Sequence, residues 1–345
     1  MSLNQQKRTS LSELGEFGLI DHLTKNFGLV NKSSEFGVGD DAAILNFQNE
    51  KVVVTTDLLL EGVHFNLVYT PLQHLGYKSV VVNLSDICAM NGTPQQITVS
   101  LGISSKFALE DIELLYEGIK KACTNYGVDL VGGDTSSSMT GLTISITAIG
   151  VVKDNHEVYR SGAKVNDLIC VSGDLGASYL GLQLLERERK VFEDGNGINP
   201  QLEGNEYIIG RQLKPEARVD LIKKLQKMNI KPTSMIDISD GLSSDLLHIT
   251  NKSNCGCLVY TEKIPIAEES VKMAEEFNMD PLTAALNGGE DYELLFTADL
   301  RYYEQLLEME DVSIIGHIVD IKEGKKLITP NGTAINLQAQ GWRHQ

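Results

Sequence analysis

Residues 108–135 read ALEDIELLYEGIKKACTNYGVDLVGGDT, and this stretch decides the class of fold. Leu109, Ile112, Leu115, Ile119 and Ala122 recur every three or four positions, so they share one face of a helix over Ala108–Tyr126. Gly127 then stands where a helix needs a left-handed residue to end. Val128–Val131 follows as a short, β-branched strand that delivers Gly132-Gly133-Asp134-Thr135 to a turn. A helix that hands over to a strand ending in a glycine-flanked carboxylate is the unit of an α/β chain.

The same grammar extends in both directions. Val52–Val54 reads as a strand running into a turn at Thr55-Thr56-Asp57, Ile97–Ile103 as another strand, and Leu142–Val152 as a long one. Polarity rises at Lys153–Glu157, which sets a domain boundary there and two domains, 1–153 and 154–345. Beyond it Leu168–Ser172 starts a second α/β unit and ends in Gly173-Asp174-Leu175-Gly176 before a helical stretch. Met235-Ile236-Asp237 closes a strand, Asp240-Gly241 turns, and Leu242–Thr250 is helical; Asp291–Thr297 is a strand after Gly288-Gly289. Glu186–Gly210 is charged and aperiodic and reads as a surface excursion. The expected class is therefore α/β (α+β) with two domains, a size that 345 residues support comfortably.

Composition narrows the chemistry. Thirty Lys and Arg face 47 Asp and Glu, a formal net charge of −17, which argues against binding a nucleic-acid backbone. An anionic substrate would be met through bridging metal instead of a basic patch. Cys88, Cys123, Cys170, Cys255 and Cys257 are odd in number and sit in apolar stretches, as reduced, buried thiols of a cytoplasmic protein do. Met1–Ser10 has no apolar core of the signal-peptide kind, and the longest apolar run is too short to span a bilayer, so no membrane role is expected.

Six acidic motifs punctuate the chain: Gly39-Asp40-Asp41, Thr55-Thr56-Asp57, Asn83-Leu84-Ser85-Asp86, Gly132-Gly133-Asp134-Thr135, Asp237-Ile238-Ser239-Asp240-Gly241 and Gly288-Gly289-Glu290-Asp291. Two carboxylates 4 Å apart repel by about 4 kcal/mol at an effective dielectric near 20. A chain that gathers many needs cations, and hard oxygen donors suit Mg²⁺ or Ca²⁺. Gly37–Ala42 matches a dinucleotide fingerprint in form, yet two Asp at the phosphate-facing turn would repel a pyrophosphate. No Walker-type loop and no protein-kinase signature is present. Taken singly, Asp57 and Asp86 read equally as helix caps or turn residues, although Asp86 lies in an apolar stretch where an unpaired carboxylate is expensive. His64 is a candidate hydrogen-bond donor to substrate or a structural histidine; Arg160 opens Arg-Ser-Gly-Ala either as a phosphate or nucleobase contact or as a surface residue. Asp245 reads either as a partner that supports the Asp237–Gly241 motif or, the reading slightly favoured, as a solvated helix residue.

In this order the motifs resemble those of the thiamine-monophosphate kinase family, within the ATP-binding superfamily that includes aminoimidazole ribonucleotide synthetase. The resemblance runs from Gly15-Glu16-Phe17 to Gly341-Trp342 and rests on seven strings that are specific as a set: Gly37–Ala42, Thr55–Phe65, Asn83–Asp86, Gly132–Thr135, Arg160–Ala163, Asp237–Leu242 and Gly288–Leu294. It implies an N-terminal mixed sheet with helices that pairs across a homodimer, and a C-terminal α/β sandwich that completes the site. It also implies an ATP-dependent phosphorylation of thiamine monophosphate to thiamine diphosphate. Asp41, Thr55, Thr56, Asp57, Asp86, Asp134, Asp237 and Asp240 would hold several Mg²⁺, with Asp41, Asp86, Asp134 and Asp240 most directly catalytic. Gly133, Asp134, Arg160 and Ser239 would touch ATP; His64, Glu290 and Trp342 would meet the acceptor.

Related chemistries fit less well. Selenophosphate synthetases need a reactive Cys with a nearby Lys early in the chain, and no Cys precedes Cys88. The hydrogenase-maturation relatives carry a C-terminal Cys acceptor, where this sequence reads Gly-Trp-Arg-His-Gln. Gly-Gly-Glu-Asp-Tyr-Glu-Leu speaks against aminoimidazole ribonucleotide synthetase. A Ca²⁺-binding module would concentrate its acidic residues in compact loops, and a metal-dependent phosphatase would release free phosphate.

Overall fold

The computed structural model describes residues 19, 22–36, 44–48, 50–194 and 200–339. The expectations placed on Asp40, Asp41 and Trp342 lie outside these residues. Two compact units make up the chain: residues up to Leu84 with Pro94–Val151, and Ser85–Thr93 with everything from Val152 onward.

The first unit opens with an antiparallel ribbon of β1 (Ser34–Phe36) and β2 (Ile44–Leu45). Its four-stranded sheet has the order β3 (Lys51–Leu60), β6 (Thr143–Val152), β4 (Thr93–Ile103), β5 (Asp129–Ser137). Two 18-residue helices belong with it, α1 (Leu72–Ala89), whose last turn is counted with the second unit, and α2 (Leu109–Tyr126). β4 and β5 are parallel neighbours, so the α2 between them is the crossover that parallel pairing demands. The apolar stripe read from the sequence is the buried face of α2: Leu109, Ile112, Leu115, Ile119 and Ala122 are all buried. Gly127 ends the helix at φ 66°, as expected.

The second unit is built on a seven-stranded sheet ordered β13 (Ala334–Asn336), β12 (Lys325–Ile328), β9 (Gly256–Tyr260), β11 (Val312–Val319), β7 (Leu168–Ser172), β10 (Leu294–Ala298), β8 (Ser234–Asp237). All its pairs are antiparallel except β12 with β9. β7, β8 and β10 are buried along their whole length, which accounts for their unbroken rather than alternating apolar pattern. The helices are α3 (Ala177–Asp194), α4 (Glu206–Leu213), α5 (Val219–Lys227), α6 (Leu242–Ser253), α7 (Glu268–Glu276), α8 (Pro281–Asn287) and α9 (Tyr303–Leu307). Ile169, Val171, Ile236, Leu246, Ile249 and Leu295 form the main core, and a satellite core joins Leu180, Leu184, Ile208, Met273 and Ala284. The mixed α/β class with two sheets is thus the observed one.

Three local expectations are corrected. Thr55-Thr56-Asp57 and Gly132-Gly133-Asp134 lie inside β3 and β5, not at turns beyond them. Asp291–Glu293 is loop, with β10 starting at Leu294. The described residues of Glu186–Gly210 are largely helical: α3 runs to Asp194 and α4 begins at Glu206. The buried apolar face of α3 stops at Leu185, and its tail carries ion pairs of Arg189 with Glu186 and Glu193. All five cysteines are free and buried, as read from the sequence. Among the described residues no helix is long and apolar enough to cross a membrane.

Candidate active site

In the first unit β3 presents its residues alternately. Thr55 and Asp57 share the half-buried face, and Thr56 is on the opposite, open one. The Thr56 hydroxyl donates to the Ile146 carbonyl at 3.1 Å and so serves the β3–β6 pairing. Asp57 is fixed through its backbone: its N–H donates to Asn83 Oδ1 at 3.0 Å, and the fully buried Asn83 in turn donates to the Ser79 carbonyl. On β5 Asp134 is exposed, next to Gly133. A Cβ at Gly133 would lie 1.9 Å from the Val99 carbonyl oxygen of β4, so the residue is set by strand contact as well as by any ligand.

His64 closes the turn that follows β3. The Leu60 N–H donates to its Nδ1 at 3.0 Å, which makes Nδ1 an acceptor and leaves the proton of the neutral ring on Nε2. The side chain is thereby oriented as a donor, the polarity an anionic phosphate requires.

In the second unit Asp237 terminates β8 and is 4% exposed. The Ser85 hydroxyl, in the last turn of α1, donates to its Oδ2 at 2.7 Å. Burial, then the neighbouring Asp86 carboxylate, pushes Asp237 up to about 7, while Ser85 and Arg160 pull the other way. Of the two readings of Asp245 the solvated one is corrected: the residue is 1% exposed and accepts the Asp240 N–H at 3.2 Å, as a supporting partner would. Burial and the charges of Asp237 and Asp240 raise it to about 8. Asp86, Asp237, Asp240 and Asp245 therefore press their charges on one corner of this unit, with Arg160 the cation felt at Asp237. Among the described residues no three acidic, His or Cys side chains already converge as a ligand set.

A second loop is laced to that corner. Ile238 N–H donates to the Glu293 carbonyl (2.7 Å), Tyr292 N–H to Ile238 (2.9 Å) and Glu290 N–H to Ser239 (2.8 Å), which continues the β8–β10 pairing past the strand ends. A Cβ at Gly289 would come 2.5 Å from the Ser239 carbonyl oxygen, so only glycine allows this clasp. Glu290 and Tyr292 are held at φ 58° and 52°, left-handed conformations that side-chain-bearing residues adopt only when their surroundings impose them. Between them Asp291 turns inward and accepts the N–H groups of Gly176 (2.8 Å) and Ser178 (3.4 Å) at the start of α3, where the helix dipole favours a negative charge. Burial raises Asp291 to about 7 against the pull of Arg211 and these amides. Glu293, fully buried, is paired with Arg218 and with Arg211 and accepts the Ser172 hydroxyl. Glu290, half-buried, receives the Gln212 side-chain amide at 2.9 Å.

The structure thus joins Asp86, Asp237 and Asp240 in one corner, with Arg160 near Asp237, and joins Ser239 to Glu290 through the backbone. It pairs Thr55 with Asp57 on one face and turns Thr56 away from them. Asn83, Gln212, Arg211 and Arg218 are supporting residues to which the sequence reading gave no site role, and Asp245 is one whose role it left open. The partners of Arg218, Gln212 and Arg211 on the 290–293 loop lie 75, 78 and up to 82 positions away, beyond the reach of any spacing rule.

The fold is of the AIR synthase-related class, and residues 39–152 match the family described as AIR synthase related protein, N-terminal domain. Crystal structures of the hydrogenase maturation protein HypE share the fold at 18% identity, with a TM-score of 0.73 over 94% of this chain and 98% of that one. Similarity is far greater to the thiamine-monophosphate kinases of Aquifex aeolicus (35% identical over 97% of this chain and 99% of the relative) and Bacillus subtilis (33%, 96% and 99%). A solved structure of AaThiL complexed with AMPPCP and TMP matches with 34% identity and a TM-score of 0.73 over 99% of this chain and all of that one. The chain belongs to the thiamine-monophosphate kinase family and is an enzyme.

Proposed function

We propose that this enzyme transfers the γ-phosphoryl group of ATP to thiamine monophosphate, giving ADP and thiamine diphosphate by direct in-line displacement. The observation that carries the reading is the crowding of Asp237 and Asp245 with Asp86 and Asp240, in a chain similar over its full length to a kinase solved with AMPPCP and TMP. Carboxylates lifted this far by burial and mutual repulsion are a corner that a bound cation relieves, and their hard oxygens fit Mg²⁺. Asp86, Asp237 and Asp240 would hold it there. Asp41, Thr55, Thr56, Asp57 and Asp134 complete the donors by family resemblance, although the Thr56 hydroxyl is turned toward β6. When bound, Mg²⁺ supplies positive charge between the ATP and acceptor phosphates.

The chain's own residues do the remainder. Gly133, Asp134, Arg160 and Ser239 contact the nucleotide. His64 offers Nε2–H to the acceptor phosphate, whose oxygen is ionised at neutral pH and attacks the γ-phosphorus without a general base. That P–O bond forms as the bond to the β-phosphate oxygen breaks, so catalysis is positioning and charge compensation. Glu290 faces the cationic thiazolium with its carboxylate and Trp342 with its ring. We assign nucleotide binding and dimerisation to residues 1–153, and completion of the site to 154–345. The homodimer is supported by the open face of β3, where Val52, Val54 and Leu58 are 45%, 61% and 51% exposed. Five buried thiols support a reducing, cytoplasmic setting. Incubation with ATP, Mg²⁺ and thiamine monophosphate tests the reading: thiamine diphosphate must appear, and release of free phosphate alone refutes it.

A further inference from the structure

We infer that Gln212 of α4 is a positioning residue that aims Glu290 at the acceptor, an inference that rests on the reading of Glu290 given above. Gln212 is 5% exposed and has no place in the phosphate chemistry. Its Oε1 accepts the Ser178 hydroxyl at 2.6 Å, and Ser178 is fully buried in the first turn of α3. With Oε1 committed to a donor, Nε2 points the other way, and it donates to Glu290 Oε2 at 2.9 Å. A carboxylate accepts only, so this orientation of the amide is the one both contacts require.

The arrangement constrains Glu290 from two sides. Its backbone is held left-handed by the N–H bond to Ser239, and its side chain is held by Gln212. A glutamate carries several rotatable bonds, and leaving them free until substrate arrives would charge their ordering to the binding step. Ser178 adds a reason for the pair to be matched: its N–H reaches Asp291, so helix α3 holds both the loop's buried carboxylate and the amide that steers the loop's outward one. Gln212 touches neither substrate and works through Glu290.

The test is a double-mutant cycle in steady-state kinetics, with ATP and thiamine monophosphate each varied in turn. Gln212→Leu keeps the bulk and removes the amide; kcat/KM for the acceptor falls about tenfold, the loss expected for one hydrogen bond to a charged group, and KM for ATP stays within about twofold. In a Glu290→Ala background, Gln212→Leu causes no further loss in acceptor kinetics. A purely structural role predicts equal shifts for both substrates, or additive losses in the cycle, and either result overturns the inference. If Glu290→Ala leaves acceptor kinetics intact, the acceptor role of Glu290 falls first and the inference with it. If Glu290→Ala weakens acceptor use and Gln212→Leu does not, only the inference falls. Should Gln212→Leu fail to fold, Ser178→Ala releases the amide without disturbing the Gln212–Glu290 pair sterically; a smaller loss confined to the acceptor supports the inference, and no acceptor-specific loss overturns it.

Discussion

Replacing Asp237 by Asn separates what the acidic corner does for activity from what it does to stability. Asp237 is 4% exposed, and burial with the Asp86 charge beside it pushes its carboxyl up to about 7, well above the ordinary carboxylate range. A carboxyl whose pKa is raised on folding binds its proton more tightly when folded. It therefore costs no stability below the unfolded value, and the cost grows as pH rises until the folded value is passed. A rise of this size corresponds to a cost on the order of 4 kcal/mol above pH 7, less than half of which is present at pH 5. Asn keeps the shape, accepts from Ser85 and carries no charge. In excess chelator, Asp237→Asn is expected to be more stable than the parent chain by about 3 kcal/mol more at pH 8 than at pH 5, on the order of 5–10 °C in Tm for a unit of this size. Thermal unfolding followed by circular dichroism at the two pH values measures it, and phosphoryl transfer by the same variant falls by orders of magnitude. A variant no more stable than the parent at pH 8, or a gain independent of pH, refutes the claim that these carboxylates strain the metal-free fold.

Three further outcomes follow from the same geometry. Glu290→Gln raises KM for thiamine monophosphate and leaves ATP affinity alone; weaker ATP binding with an unchanged acceptor KM would move Glu290 into the metal-binding set. Calorimetric titration with ATP gives almost no heat in excess chelator and ordinary binding with Mg²⁺, and equal affinity in the two conditions removes the role of cations in nucleotide binding. Arg218→Met leaves Glu293 buried with Arg211 as its remaining cation and lowers stability by about 3–5 kcal/mol in urea unfolding; a change under about 1 kcal/mol would show that Arg211 with the Ser172 hydroxyl satisfies the carboxylate.

What the sequence made legible was local. The helix over residues 109–126, its glycine cap and the strand after it follow from periodicity and from the one residue that adopts a positive φ freely. The Asp237–Gly241 and Gly288–Glu290 strings were visible as motifs because short-range turn chemistry demands glycine beside the carboxylates. The clasp between those two strings was not, since Glu290 meets Ser239 and Tyr292 meets Ile238 across about 50 positions. Thr55–Asp57 and Gly132–Asp134 were misplaced at strand ends for a related reason. Polar residues inside a strand look like its end until the neighbouring strands that hold them are known. The two readings of Asp245 were not separable in the sequence, because a carboxylate on a helix is ordinarily solvated and only the fold shows Asp237 and Asp240 beside it.

The left-handed run at Gly289, Glu290 and Tyr292 also bears on how the chain tolerates mutation. At φ 58° the backbone of position 290 favours glycine or asparagine, and a glutamate there forgoes on the order of 1 kcal/mol of easier conformation. Substitution by glycine would relax the chain and silence the side chain in one step. A library of variants sorted for folding alone would therefore drift away from glutamate at this position, while one sorted for catalysis would return to it. The disagreement between the two sorts would mark the site with no ligand in hand.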